Sequence, residues 1–267
     1  MTAPTARSEV LAVRYAGREL LRSEFFLNFR HYDEPDAPLT MDYFVWVVRT
    51  AGQTVLVDTG YNPRSAARRG RRLDRSPVDA LASAGVPAES VDRVVVTHCH
   101  FDHVGNLGAF PRADVVIAAD EHTFWRGPTA RRNQFGAWAD PEDLAVLDEL
   151  DKAGRLHLVD QRATVAPGVD VVVVGGHTPG QAIVTVDSGT GRVVLASDAV
   201  HTYEEIELDR PFSLAADVVG MLHAYDRIRD LLTHPNAVLV PGHDPLVMNR
   251  FERLDAAPGL GVTVMPS

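Results

Sequence analysis

Histidine or aspartate fills four of the six positions 98 to 103, His98-Cys99-His100-Phe101-Asp102-His103, one threonine after the apolar residues 94–96. Imidazole nitrogens and carboxylate oxygens are the donors that suit zinc and other first-row divalent cations. Side chains alternate along an extended chain, so His98 and His100 can face one ion together. The turn that follows can aim Asp102 and His103 at a neighbouring position. The plain alternative is a strand ending in a polar loop. Three downstream segments repeat the theme. The run VVVVGGHTPGQ (171–181) reaches His177 through two glycines, and Pro179-Gly180 sets a turn. VVLASDA ends a strand with Asp198, and AVLVPGHDP (237–245) carries His243. Five imidazoles and two carboxylates at strand ends match a two-metal site: about three protein ligands per ion, a shared carboxylate and open positions for water. Cys99 points away from its histidine neighbours on an extended chain and is expected to pack, not to ligate.

Positioning such residues takes strands, and the chain supplies them. Apolar β-rich runs occur at 10–15, 43–48, 54–58, 92–97, 114–118, 170–175, 182–186, 192–197 and 237–241. Many are continuous Val/Ile/Leu runs, the mark of strands covered on both faces. Helix-like stretches lie at 76–85, 141–154 and 215–232, the first with Ser76 as N-cap and Pro77 after it. Strands mixed with helices predict a layered α/β architecture. TVLVDTG (54–60) and RVVLASDA (192–199) each run a strand into an aspartate, a faint internal echo. No Pro/Gly/Ser-rich linker divides the chain, so one domain spanning 1–267 is expected. The arginine-rich stretch 64–75 reads as a solvated loop, the alternative being contact with a substrate anion.

The bulk numbers exclude several classes. A length of 267 residues with 45% hydrophobic and 23% charged residues suits a globular protein with a substantial core. A formal net charge of −10 makes the chain a poor partner for nucleic acid or an anionic membrane. The single cysteine rules out an intrachain disulfide. The opening MTAPTARSEV lacks an apolar signal region, and no segment approaches the roughly 20 apolar residues of a membrane span. A soluble cytoplasmic protein is expected.

The order H-x-H-x-D-H, GGHTPG, SDA and PGHDP, running from about Tyr43 to Pro245, resembles the metallo-β-lactamase superfamily. The resemblance implies a four-layer αβ/βα sandwich, two mixed sheets inside and helices outside, with metals at one sheet edge. It implies that His98, His100 and His177 hold one ion and that Asp102, His103 and His243 hold a second. Asp198 would bridge the two ions. Asp58 of VDTG would orient an imidazole through its free ring N–H. Zinc is the expected metal, with manganese, iron and cobalt as alternatives.

Within the superfamily, Asp198 argues against true β-lactamases with a cysteine-containing second site. The absence of a basic surface module argues against nucleases. Glyoxalase-type thioesterases share all seven ligands and stay open as an alternative. YFVWVVRTAGQTVLVDTGY, ASDAVHTYEEIELDRPF and VPGHDPLVMNRF are similar to the N-acyl homoserine lactonase branch. That branch implies a homodimer and a lactone ring opened by a hydroxide shared between the metals, with Asp102 and Asp198 in the reacting centre. It implies quorum quenching where the substrate is an N-acyl homoserine lactone. Such lactonases place a tyrosine three residues after the bridging aspartate. Here that position is His201, with Tyr203 two residues beyond, so either could donate a hydrogen bond to the substrate. His201 could also be a surface loop residue. No G-x-S-x-G elbow is present, consistent with a reaction that uses no protein nucleophile. The stretch 121–138 is expected to form a lid, with Phe124, Trp125, Phe135 and Trp138 as an apolar wall or as packing between a helix and the sheet.

Overall fold

Alternation within the apolar runs decides the layers. The computed structural model describes residues 8–255, 257 and 259–265; the opening residues 1–7, where the expected lack of a signal sequence falls, lie outside them. The strands in chain order are β1 (Glu9–Leu21), β2 (Pro38–Thr50), β3 (Gln53–Val57), β4 (Arg93–Val96), β5 (Asp114–Ala118), β6 (Leu156–Val159) and β7 (Arg162–Ala166). They continue with β8 (Val169–Val173), β9 (Ala182–Asp187), β10 (Arg192–Ser197), β11 (Ala237–Pro241), β12 (Glu252–Arg253) and β13 (Gly261–Val264). One sheet has the order β12-β13-β1-β2-β3-β4-β5-β6 and the other β11-β10-β9-β8-β7. Both are mixed: β3 through β6 run parallel beside the antiparallel β1 and β2, and β11 lies parallel to β10 in an otherwise antiparallel sheet.

Every continuous apolar run serves two cores. On β10, Val193 and Leu195 face the space between the sheets, while Val194 and Ala196 face outward onto Met221, Tyr225 and Ile228 of the helix Val218–Leu232. On β4, Val95 faces the inter-sheet core, while Val94 and Val96 face the helix Pro77–Ser83 through Ala80 and Leu81. The helix Pro141–Lys152 adds Leu147 to the same outer layer. Helix, sheet, sheet, helix is therefore the layer order, the four-layer sandwich expected from the sequence. At roughly 25 cal/mol per Å² of apolar surface removed from water, this three-part core is the main stabilising term.

All nine expected strands and all three expected helices form. The helix expected from residue 215 begins at Val218 instead. The preceding N–H groups of Ala216 and Asp217 donate to the carbonyl of Gly176, and that of Ala216 also to His177, so these residues latch the His177 turn. Among the described residues, no helix is long and apolar enough to cross a membrane.

Candidate metal centre

The C-terminal ends of five strands meet at one edge of the sandwich. β4 leads to His98 and His100, and a single helical turn, Phe101–Val104, then carries Asp102 and His103. β8 leads through Gly175 and Gly176 to His177, β10 to Asp198, and β11 to His243. Gly176 is required twice over: its φ is +90°, and a Cβ there would stand 2.6 Å from the Met221 nitrogen. Asp58 after β3 and Ser197 at the end of β10 both hold positive φ, 61° and 46°. Such strain persists only where surrounding contacts over-determine it.

The seven expected ligands sort themselves into two groups. His98, His100, His177 and Asp198 offer ligand atoms within 4.8 Å of one another, and so do Asp102, His103 and His243. Asp198 sits between the groups. Its Oδ2 lies 3.7 Å from His98 Nε2 and 3.4 Å from His177 Nε2, while its Oδ1 lies 3.3 Å from His103 Nε2 and 3.0 Å from His243 Nε2. All seven side chains are buried, Asp102 at 9% exposure being the most open.

Outer contacts turn the imidazoles inward. His177 Nδ1 donates to the Leu214 carbonyl at 2.9 Å and His243 Nδ1 to the Asp42 carbonyl at 2.8 Å. Asp58 Oδ2 accepts from His103 Nδ1 at 2.7 Å, while Thr97 donates its N–H to Oδ1 and its hydroxyl to Oδ2, both at 2.8 Å. The Nε2 atoms of His98 and His103 are left buried with no hydrogen-bond partner among the described residues. An orphaned buried imidazole nitrogen is costly in a native core, and two of them aimed at one carboxylate fit a pair of divalent cations.

The protein's own electrostatics suit three of these imidazoles to ligation. Burial and neighbouring imidazoles hold His98 and His177 well below the usual histidine pKa, and burial pushes His100 down to about 3. These rings are neutral, as metal ligands must be. Burial would also lower His103, but Asp198, Asp58 and Asp102 outweigh it and raise its pKa. Asp198 is itself held low: burial opposes ionisation, and the surrounding imidazoles of His103, His201 and His243 override it.

The substrate-side residues meet their expectations unevenly. A cavity of about 280 Å³ opens over the cluster, and His201 lines it. His201 is 1% exposed, so it is no surface loop residue. Its Nε2 lies 3.2 Å from Asp198 Oδ2, its Nδ1 lies 3.2 Å from Glu205 Oε2, and its ring packs on Phe212 with centroids 4.0 Å apart. Burial works against a charged ring, but Glu205 and Asp198 raise its pKa to about 10. Tyr203 does not reach the cavity. Its hydroxyl donates to the Leu239 carbonyl at 3.1 Å, and its ring lies under the Arg250 guanidinium, 3.6 Å from the centroid. The residue starts the helix Tyr203–Leu208, which turns its side chain back into the inter-sheet core.

The stretch 121–138 divides as well. Trp125 and Trp138 stand against His100, with ring centroids 5.8 Å and 6.2 Å away, and Trp138 lines the cavity. Phe124 and Phe135 pack on each other at 5.2 Å, against the outer core. Cys99 is buried in that core, as expected.

Two acids went unseen in the sequence. Glu121 accepts from the N–H groups of Cys99 and Gly180 and from Trp125 Nε1, so one carboxylate ties both ligand loops to the helix Ala119–Arg126. Glu205 does the same for the His201 turn, accepting from the backbone of His201 and Thr202. Glu121 sits in no motif, and only the fold brings it to its donors; Glu205 is the acid of a Thr202-x-x-Glu205 capping box, and the fold adds the His201 contact. The arginine-rich stretch is a solvated loop only in its second half. It contains the helix Pro63–Arg68, whose Arg68, together with Arg69, pairs with the buried Asp140, while Arg64 pairs with Asp143.

The family model of the metallo-β-lactamase superfamily matches the chain over residues 41–243. The chain belongs to that superfamily. Among curated members of the superfamily, an N-acyl homoserine lactonase of a Bacillus species is 25% identical over 229 residues, 79% of this chain and 84% of the relative. In fold, a crystal structure of a quorum-quenching N-acyl homoserine lactone lactonase superposes with a TM-score of 0.75 at 20% identity, covering 96% of this chain and all of the other. A dizinc quorum-quenching lactonase in complex with a product superposes with a TM-score of 0.71 at 19% identity, covering 91% of this chain and 90% of that one.

Proposed function

We propose that this chain is a dinuclear metal-dependent hydrolase that opens a lactone ring, an N-acyl homoserine lactone or a related lactone. One observation carries the reading: the two oxygens of Asp198 face two separate groups of inward-turned donors. His98, His100 and His177 would hold one cation, Asp102, His103 and His243 the other, and Asp198 both. The lactonase relatives favour the lactone class, and a dizinc neighbour makes zinc the first metal to test.

Bound there, two divalent cations supply Lewis acidity and bring the pKa of water from about 15.7 toward 7. The chain's own residues do the rest. Asp198, between the two groups, is placed to hold the proton released from attacking water and to return it to the departing ring oxygen. His201 faces the cavity from beside Asp198. With Nδ1–H given to Glu205, Nε2 carries a proton only in the imidazolium form, which the Glu205 carboxylate beside it favours. That N–H is positioned to donate to the lactone carbonyl or leaving oxygen, the work expected of the tyrosine that Tyr203 does not perform. Trp138 and Phe212 line the same cavity and keep water from it. We also take residues 1–267 as one domain, since residues of both sheets share the inter-sheet core.

Purified protein should contain about two transition-metal ions per chain, and a substrate panel should give higher kcat/KM for lactones than for thioesters. Thioester preference would replace the lactonase with a glyoxalase-type thioesterase. Full turnover in a His98→Ala, His243→Ala double variant would remove the metal mechanism altogether.

A further inference from the structure

The arginines of residues 64–75 are accounted for one by one, except for Arg71. Arg64, Arg68 and Arg69 pair with Asp143, Glu142 and Asp140, Arg72 pairs with Asp74, and Arg75 donates to Ser83 Oγ. Arg71 makes no side-chain hydrogen bond or ion pair among the described residues, and its Nε is buried without an acceptor. It lines the cavity over the metal cluster. It also stands close to Tyr43, whose ring packs against His243 with centroids 5.0 Å apart: burial and Asp102 push the Tyr43 phenol up, and the Arg71 charge opposes them. Arg18 lines the same cavity, its nearest carboxylate, Glu24, being 3.9 Å away and 53% exposed. Glu24 spends one oxygen on the Leu21 N–H. Two guanidinium groups therefore line this cavity, Arg18 loosely paired with Glu24 and Arg71 paired with no carboxylate among the described residues.

A half-buried guanidinium with no acceptor is unfavourable beside a neutral acyl chain. Its planar fork suits a carboxylate, which it can bind through two parallel N–H bonds. Resting on the lactonase reading above, we infer that the substrate carries a carboxylate remote from the scissile ester, and that Arg71, assisted by Arg18, is the residue that selects it. The preferred substrate class is an anionic lactone, and a plain fatty-acyl lactone is a poorer one.

The test uses metal-loaded protein and two homoserine lactones with acyl chains of equal, six-carbon length, one ending in a methyl group (N-hexanoyl) and one in a carboxylate (N-adipoyl). The adipoyl lactone should be favoured in kcat/KM by about tenfold or more, chiefly through KM. Arg71→Leu should collapse that ratio toward one, Arg71→Lys should keep part of it, and Arg72→Leu, on the exposed side, should leave it standing. Equal use of the two lactones by the wild type, or a ratio that survives Arg71→Leu, overturns the inference while the lactonase reading stands. If neither lactone is opened, the N-acyl homoserine lactone reading falls, and calorimetric titration with the two ring-opened acids decides the rest. Adipoyl acid binding about tenfold tighter than hexanoyl acid, with the margin lost in Arg71→Leu, supports the carboxylate site; equal binding sinks it.

Discussion

Asp58 shows how a residue outside the ligand set governs the metal centre. Its two oxygens accept from the Thr97 N–H, the Thr97 hydroxyl and His103 Nδ1, and so fix which nitrogen of His103 faces inward. Asp58→Asn preserves volume but leaves one acceptor oxygen where two are in use. It should weaken metal affinity by about tenfold to a hundredfold, read by competition against a chelator of known affinity. Unaltered affinity would mean that packing alone orients His103. Asp58 was legible from VDTG and its resemblance, because a strand-end aspartate is a sequence feature. Glu121 was not, since an acid in a helical stretch looks the same whether it faces water or three buried N–H groups; the Thr202-x-x-Glu205 capping pattern was legible, but not that its acid also holds His201. Tyr203 was misread for a related reason: chain distance from Asp198 says nothing about which way the helix beginning there turns its ring.

At the level of elements, the segment holding Arg71 is docked by Asp140, which is 2% exposed and accepts from Arg68, Arg69 and Ser65. Burial pushes its carboxyl up, but Arg69 and Ser65 outweigh that and bring it from 3.8 to about 2. A carboxyl with a depressed folded-state pKa stabilises the fold fully above the unfolded value, and this contribution drains as pH falls through the folded one. The window is thus about pH 4 down to pH 2. Asp140→Asn should cost about 3 kcal/mol near neutrality. The gap in melting temperature between wild type and variant should narrow as pH drops below about 4. A gap that stays constant with pH would assign the loss to shape instead of charge. The acids opposite these arginines lie more than 65 residues along the chain, which is why the stretch reads as a solvated loop until the fold is known.

Across the whole molecule, the ligands come from strand ends in both sheets, so metal binding should brace the sandwich as a unit. A ligand that binds only the folded state, present at about a thousandfold its Kd, adds about 4 kcal/mol. For a chain of this size that is on the order of 10 °C in melting temperature. Chelation should lower the melting temperature by about that much and added zinc should restore it; no change would separate the site from the stability of the fold. The sequence by itself determined the strands, the main helices and the identities of the seven donors. Those follow from local causes: runs of β-branched residues, N-caps, glycine turns and imidazoles at strand ends. Tertiary structure alone decided which oxygen of Asp198 faces which imidazoles, that His201 and not Tyr203 reaches the cavity, and that Arg71 lines that cavity with no side-chain partner among the described residues. Each of those depends on distances between residues far apart in the chain, and such distances exist only once the two sheets have packed.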